Sequence, residues 1–102
     1  MAGFYLVRQA HCDLEEIEER LARFDPRSAR KMLVTLVDTF ELLVRFPQLG
    51  KTRPELRQGL RSFPVRNYLI LYRIAQDEIE IIRVIRGERN LGDIARDLPL
   101  FE

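Results

Sequence analysis

Arginine carries most of the chemistry available to this chain. Of its 17 basic residues, all but Lys31 and Lys51 are arginine. The planar guanidinium fork suits a phosphate or carboxylate better than a lysine ammonium does. The charge is unevenly spread beneath a formal net of +1: residues 1–44 hold six basic against eight acidic side chains, and residues 45–102 hold eleven against eight. Between residues 45 and 73, seven basic residues face Glu55 alone, and further on Arg83, Arg86 and Arg89 recur every third position. Together with Arg61 and Arg73 they offer the positive charge that a phosphorane needs, one requirement of metal-free RNA cleavage. The other two are a base for the 2′-hydroxyl and an acid for the leaving oxygen. The chain is poor in both. Its one histidine, His11, is remote in sequence from the arginines, and no tyrosine follows Tyr72. Glu88, a carboxylate among guanidiniums, makes a weak base. The arginines are therefore expected to bind rather than to catalyse, and no catalytic residue is assigned. For any single arginine, a solvated face is the plainer use.

Other site chemistries find little support. With Cys12 as the only cysteine, neither an intrachain disulfide nor a cysteine zinc site can form. Cys12 reads as packing at a helix start, and His11 as a surface or capping residue. No metal-ligand cluster is visible, and the five glycines are too scattered for a phosphate loop. No metal or cofactor is expected. No apolar run approaches the ~18 residues of a membrane span, and the N-terminus lacks a signal-peptide pattern. A cytoplasmic protein is expected, with residues 1–102 forming one domain. The basic stretch 45–73 is of a kind that tracks phosphates, yet no helix-turn-helix or RNA-recognition pattern accompanies it. Direct nucleic-acid binding stays open.

The elements that must position these side chains follow from periodicity. Residues 3–9 read as a strand. Leu14, Ile17, Leu21 and Phe24 then recur at helical spacing over residues 10–24, with Asp13 and Glu16 resembling a capping box. Asp25-Pro26 ends that helix and caps a second, whose stripe is Ala29, Met32, Leu33, Leu36, Phe40 and Leu43. The short link predicts an antiparallel helical hairpin. Pro47, Gly50 and Pro54 mark a loop. Strands are predicted at 60–65, 68–75 and 78–86, with Gln76-Asp77 as a tight turn. Asn90 is placed to cap a short last helix bearing Leu91, Ile94, Ala95 and Leu98. The fold class is α+β: a β-α-α-β-β-β-α two-layer domain, with the hairpin packed on a mostly antiparallel four-stranded sheet.

This order resembles the RelE/ParE toxin superfamily, and so do four segments within it. They are Ala10, Asp13-Leu14 and Ile17; Phe46-Pro47-Gln48-Leu49-Gly50; Glu55–Phe63 leading into Tyr68-Leu69-Ile70-Leu71-Tyr72-Arg73; and Ile79–Ile82 followed by Arg83-Val84-Ile85-Arg86-Gly87-Glu88-Arg89-Asn90. Leu60-Arg61-Ser62-Phe63 and the Arg-Val-x-x-Gly-x-Arg ending lean toward the ParE branch. Asn90 stands where that branch often has Asp, and Arg86 where it often has His. The resemblance implies the toxin of a type II toxin–antitoxin system, neutralised by a ParD-like antitoxin and acting on DNA gyrase. The alternative it leaves is a RelE-like ribosome-dependent endoribonuclease of messenger RNA.

Two sets of residues are singled out on that basis. Arg61, Arg83, Arg86 and Arg89 are assigned to target binding, as a cationic surface on which Arg61 and the end of the last strand converge. The competing use for Arg61 and Arg83 is to pair with Glu55 or Glu80 and hold the sheet. Val34 and Val37, off the main stripe of the second helix, are assigned to antitoxin binding, with Leu98, Leu100 and Phe101 near the C-terminus.

Overall fold

Asp25 and Pro26 set the hairpin as their positions suggest. In the computed structural model, which describes residues 3–87, 91–96 and 98, α1 spans Arg8–Ala22 and α2 spans Pro26–Arg45. The Asp25 carboxylate accepts from the Arg27 N–H and from Ser28 Oγ, each at 3.0 Å, which satisfies donors at the start of α2. Pro26 takes the first helical position, where its missing N–H costs nothing. The helix stops at Arg45, just before Pro47. Ala29, Met32, Leu36, Phe40 and Leu43 form its buried stripe.

The start of the chain differs from the sequence expectation. The strand predicted over residues 3–9 is only β1, Phe4–Leu6, and α1 begins at Arg8 with Val7 as a cap that offers no side-chain hydrogen bond. Asp13 is therefore not a capping residue; it lies inside α1 and is buried. Phe24, placed on the apolar stripe by its spacing, falls in the interhelical turn and is 84% exposed. Cys12, expected to pack, is exposed.

The meander forms as predicted: β3 (Arg61–Val65), β4 (Tyr68–Ala75) and β5 (Glu78–Arg86) pair antiparallel in sequence order. Gln76 and Asp77 both take positive φ, 52° and 68°, as a two-residue hairpin turn requires. The sheet has five strands rather than four. Lys51–Thr52 adds a two-residue β2 beside β3, too short to leave a periodic signal. The order is β1-β5-β4-β3-β2, with β1 parallel to β5 and Phe4 opposite Ile79.

Because β4 and β5 are central, both their faces are covered. Tyr68, Ile70, Tyr72, Ile79, Ile81 and Val84 join the hairpin's core. Leu69, Leu71, Ile82 and Ile85 join a second core on the other face, with Leu60 and with Ile94 of α3 (Leu91–Arg96). A β-bulge makes this alternation possible. Leu71 pairs with Arg83 and Tyr72 with Ile81, so Ile82 is an extra residue on β5 and the parity of its side chains switches there. Simple alternation would put Arg83 and Ile85 on the face of Ile79 and Ile81; the bulge instead sets Arg83 opposite Leu71 and sends Ile85 to the second core.

Tyr72 locks the loop after α2 onto the sheet. Its ring is fully buried; its hydroxyl donates to the Pro47 carbonyl and accepts from the Gly50 N–H, each at 2.8 Å. Arg61 reinforces the latch by donating to the carbonyls of Gly50 (2.8 Å) and Gln48 (3.3 Å). Gly50 has to be glycine for close approach. A Cβ there would lie 2.5 Å from the Tyr72 hydroxyl and 2.9 Å from the Ser62 carbonyl oxygen. Burial raises the Tyr72 pKa above the usual 10.0, against the opposing effects of the Gly50 N–H and the nearby Arg61 charge.

Two outcomes follow from the latch. Tyr72→Phe strands the Gly50 N–H and the Pro47 carbonyl and should cost about 1–3 kcal/mol in urea denaturation. Its pH signature is specific. The folded phenol holds its proton longer than the unfolded one, so the stabilisation is complete below pH 10.0 and is lost as pH rises from there toward the raised folded pKa. The wild type should show this alkaline decline more steeply than Tyr72→Phe; matching profiles would place the hydroxyl in solvent.

Candidate functional site

The arginines separate into joints and surface. Arg83 is a joint. It is 8% exposed, and its guanidinium makes a two-pronged pair with Asp13, Nε to Oδ2 at 2.7 Å and Nη2 to Oδ1 at 3.0 Å. Oδ2 also accepts from the Val84 N–H at 2.9 Å. The arrangement has a topological cause. β1 stops at Leu6, so beyond Ile81 the outer edge of β5 has no strand partner. The chain turns straight into α1, whose second turn brings the Asp13 carboxylate to that bare edge. A carboxylate this buried is tolerable because its oxygens are matched by charge-assisted donors. The partner of Arg83 is Asp13, not the Glu80 considered from sequence.

Glu80 instead pairs with Arg73 and accepts from the Tyr5 hydroxyl at 2.9 Å. Burial, followed by that bond to Glu80, raises the Tyr5 pKa. Likewise Glu55 lies 3.5 Å from Arg53, while Arg61 holds backbone carbonyls. Arg53 also donates to Ser62 Oγ at 2.8 Å, and Arg20 donates to the Tyr68 hydroxyl.

The four arginines assigned to target binding do not converge. Arg61 pairs in register with Tyr72, and Arg86 with Tyr68, four residues along β4. At 3.3 Å per residue that is roughly 13 Å. The reason is the meander itself: β3 and β5 run parallel on either side of β4, so the start of one and the end of the other lie at opposite ends. Arg86 is exposed at the end of β5, while Arg89 lies outside the described residues. Beside Arg86 is a polar cleft of about 40 Å³ lined by Asp13, Glu16, Arg20, Tyr68 and Arg83. It has room for a few waters, far less than the several hundred Å³ of a small-molecule site. His11 is exposed on the first turn of α1. Among the described residues no group of His, Cys, Asp or Glu is placed to hold a metal ion.

The larger concavity lies on the hairpin. An open groove of about 680 Å³ runs along α2, lined by Asp25, Arg27, Ser28, Arg30, Lys31, Val34 and Thr35. Val34 is 54% exposed and Val37 40%. Of the other residues assigned to antitoxin binding, Leu98 is buried in the second core at 6% exposure, so this chain already covers it, and Leu100 and Phe101 lie outside the described residues. The residue that sequence reasoning missed is Asp13. Its signal was present: three residues after Ala10 and four before Ile17, it falls on the buried stripe of α1.

The two kinds of arginine should behave differently on truncation. Arg83→Ala leaves the Asp13 carboxylate buried without its cation and should cost about 3–5 kcal/mol in chemical denaturation. Arg86→Ala, at an exposed site, should change stability by less than ~0.5 kcal/mol. Equal, small effects would mean that the Asp13–Arg83 pair is solvated.

Comparison with known proteins agrees with this geometry. The family described as "ParE toxin of type II toxin-antitoxin system, parDE" matches residues 5–91, which takes in β1 from Tyr5, the other four strands and both long helices. A curated relative, "Toxin ParE3" of Caulobacter vibrioides, is 38% identical over 64 residues. That match covers 63% of this chain and 64% of the relative. A solved structure titled "Chromosomal ParDE TA system from P. aeruginosa" superposes with a TM-score of 0.74 at 25% identity, covering 86% of this chain and 98% of that one. On the extent of the family match, the chain belongs to the ParE toxin family of type II toxin–antitoxin systems.

Proposed function

We propose that the chain is a toxin that acts by binding DNA gyrase, and that a ParD-like antitoxin neutralises it by docking on the outer face of the helical hairpin. The observation that carries this reading is the character of the surface. The largest of the concavities described, about 680 Å³, lies along α2 and is open and shallow, with exposed valines beside it. The cleft at the arginine-rich end is too small to enclose a nucleotide. Such surfaces fit macromolecular contact better than chemistry on a small substrate. Family membership and the two ParE and ParDE relatives support the same reading. Gyrase acts on DNA in the cytoplasm, so the toxin would work there; no described helix is long and apolar enough to cross a membrane.

On this reading, the exposed Arg86 and its neighbour Arg89 engage the target, and Val34 and Val37 engage the antitoxin. Neither Arg61 nor Arg83 is kept as a target contact, since the first is spent on loop carbonyls and the second on Asp13.

Induction in a bacterial host tests the target. Gyrase poisoning should produce an SOS response, filamentation and gyrase-trapped DNA breaks. Rapid cleavage of translated messages without DNA damage would replace this reading with that of a ribosome-dependent endoribonuclease. Arg86→Ala and Arg89→Ala should each reduce toxicity sharply while leaving antitoxin affinity within about twofold, as expected for residues outside the antitoxin interface. Full toxicity in both variants would move the target site elsewhere.

A further inference from the structure

The solvent face of α2 carries a charge order that its own helix does not favour. Arg27, Arg30, Lys31, Val34, Val37, Asp38 and Glu41 are all exposed. Their spacings of three, four and seven put them on one stripe, opposite the buried Ala29, Met32, Leu36, Phe40 and Leu43. Read along the axis, the stripe is three cations, two valines, then two carboxylates. From Arg27 to Glu41 it spans 14 residues, about 21 Å at 1.5 Å per residue.

A surface helix optimised for its own stability looks different. Opposite charges alternate at spacings of three and four, and acids gather near the N-terminus where the backbone dipole is positive. Here Arg27 faces Arg30 and Lys31 at those spacings, and Asp38 faces Glu41. No acid lies in the first turn of α2, and Arg27 sits there instead. Among the described residues none of the five charged side chains has an ion-pair or side-chain hydrogen-bond partner. Two valines exposed at 54% and 40% separate the two charged ends. Local features that oppose local stability, with no ion pair among the described residues to offset them beyond the Asp25 cap, point to a use outside the fold.

We infer that this stripe is a polarised docking strip. It fits a segment of the antitoxin that carries, in order, carboxylates over Arg27, Arg30 and Lys31, aliphatic side chains over Val34 and Val37, and a basic side chain over Asp38 and Glu41. The inference rests on the proposed docking of the antitoxin on the hairpin and adds the segment's chemistry and its direction along α2. A protein segment suits the strip better than a nucleic acid does. A phosphate backbone would take the cations but would be repelled by the two carboxylates roughly 10 Å further along, and it has nothing to lay on the valines. Reversing the segment would set like charges together at both ends, so the charge order selects one direction and rejects the other.

The test uses the chain and, as probe, the ParD-like antitoxin proposed to neutralise it, with affinity and rates followed by surface plasmon resonance. Three variants are compared: Arg27→Glu/Arg30→Glu/Lys31→Glu, Asp38→Lys/Glu41→Lys, and Val34→Asp/Val37→Asp. Each charge reversal should weaken binding by about tenfold or more, with slower association and a flattened salt dependence. The Arg/Lys reversal should leave the melting temperature unchanged or raised, because carboxylates in the first turns suit the helix dipole. The neutral forms Arg27→Gln/Arg30→Gln/Lys31→Gln and Asp38→Asn/Glu41→Gln give the same reading if a reversed chain does not fold. If the valine variant loses binding while either charged half can be altered without effect, the polarity is overturned and the docking face stands. If all three variants bind like the wild type, the docking face falls as well. If the Arg/Lys variant keeps the antitoxin but loses affinity for duplex DNA, the cations serve phosphates and the inference is wrong.

Discussion

The carboxylate of Asp13 is the joint between the two layers of this fold. β1 is three residues long and covers only part of the outer edge of β5, so a stretch of central strand lies bare where the chain enters α1. Asp13 fills that gap: one oxygen takes the Val84 N–H, and both oxygens take the Arg83 guanidinium. The first helix is thereby fixed in register against the sheet, not merely packed on it. The bulge at Ile82 is the counterpart in the strand, because it switches the parity of the residues that follow, sending Val84 to the hairpin's core and Ile85 to the second. A pair this deep gains little net energy over apolar packing, since both ions lose their hydration. Its effect is to make alternative registers costly, because any slip would bury a charge alone.

The same economy explains where the positive charge goes. Arg53, Arg61, Arg73 and Arg83 all lie in or beside the meander, and each donates to a particular oxygen: a serine hydroxyl, loop carbonyls, Glu80 and Asp13. Their guanidiniums work as multi-pronged donors that knit loops to strands, a task for which arginine is better shaped than lysine. A run of basic residues that reads as a phosphate-binding surface is thus largely internal carpentry. Among the cations that stay exposed are Arg86 at the end of β5 and those of the first half of α2, which serve different partners in the function proposed.

On the proposed function, the chain has to be held inactive by a partner and must still reach a target when released. Separating the two surfaces allows both. The hairpin offers an open groove with exposed aliphatic side chains, suited to an extended partner that gathers affinity over length. The sheet end offers a compact cationic tip. The ion-paired core beneath keeps the two in fixed relation, so an occupant of one face would lie at a set distance from the other.

Periodicity alone determined most of the architecture: the amphipathic stripes of both helices, the Asp25-Pro26 start of α2, the three meander strands and the Gln76-Asp77 turn were legible because each is set by residues close in sequence. The exposure of Val34 and Val37 was legible too, as positions off the buried stripe. Arg86 was recognisable as a candidate from its type and spacing. Four features were decided only when the chain closed on itself. Asp13 and Arg83 are 70 residues apart, and nothing local distinguishes their pairing from one with Glu80. The bulge at Ile82 is a property of two strands together, and it shifted the face of every residue after it. The two-residue β2 exists only because β3 offers it an edge, with Tyr72 and Arg61 pinning the loop that leads into it. Arg61 and Arg86 lie apart because antiparallel pairing sends the start of one strand and the end of the next but one to opposite ends of the sheet. Sequence spacing fixes which side chains share a face of one element; which elements share an edge, and at what register, is settled by long-range hydrogen bonds and buried charge.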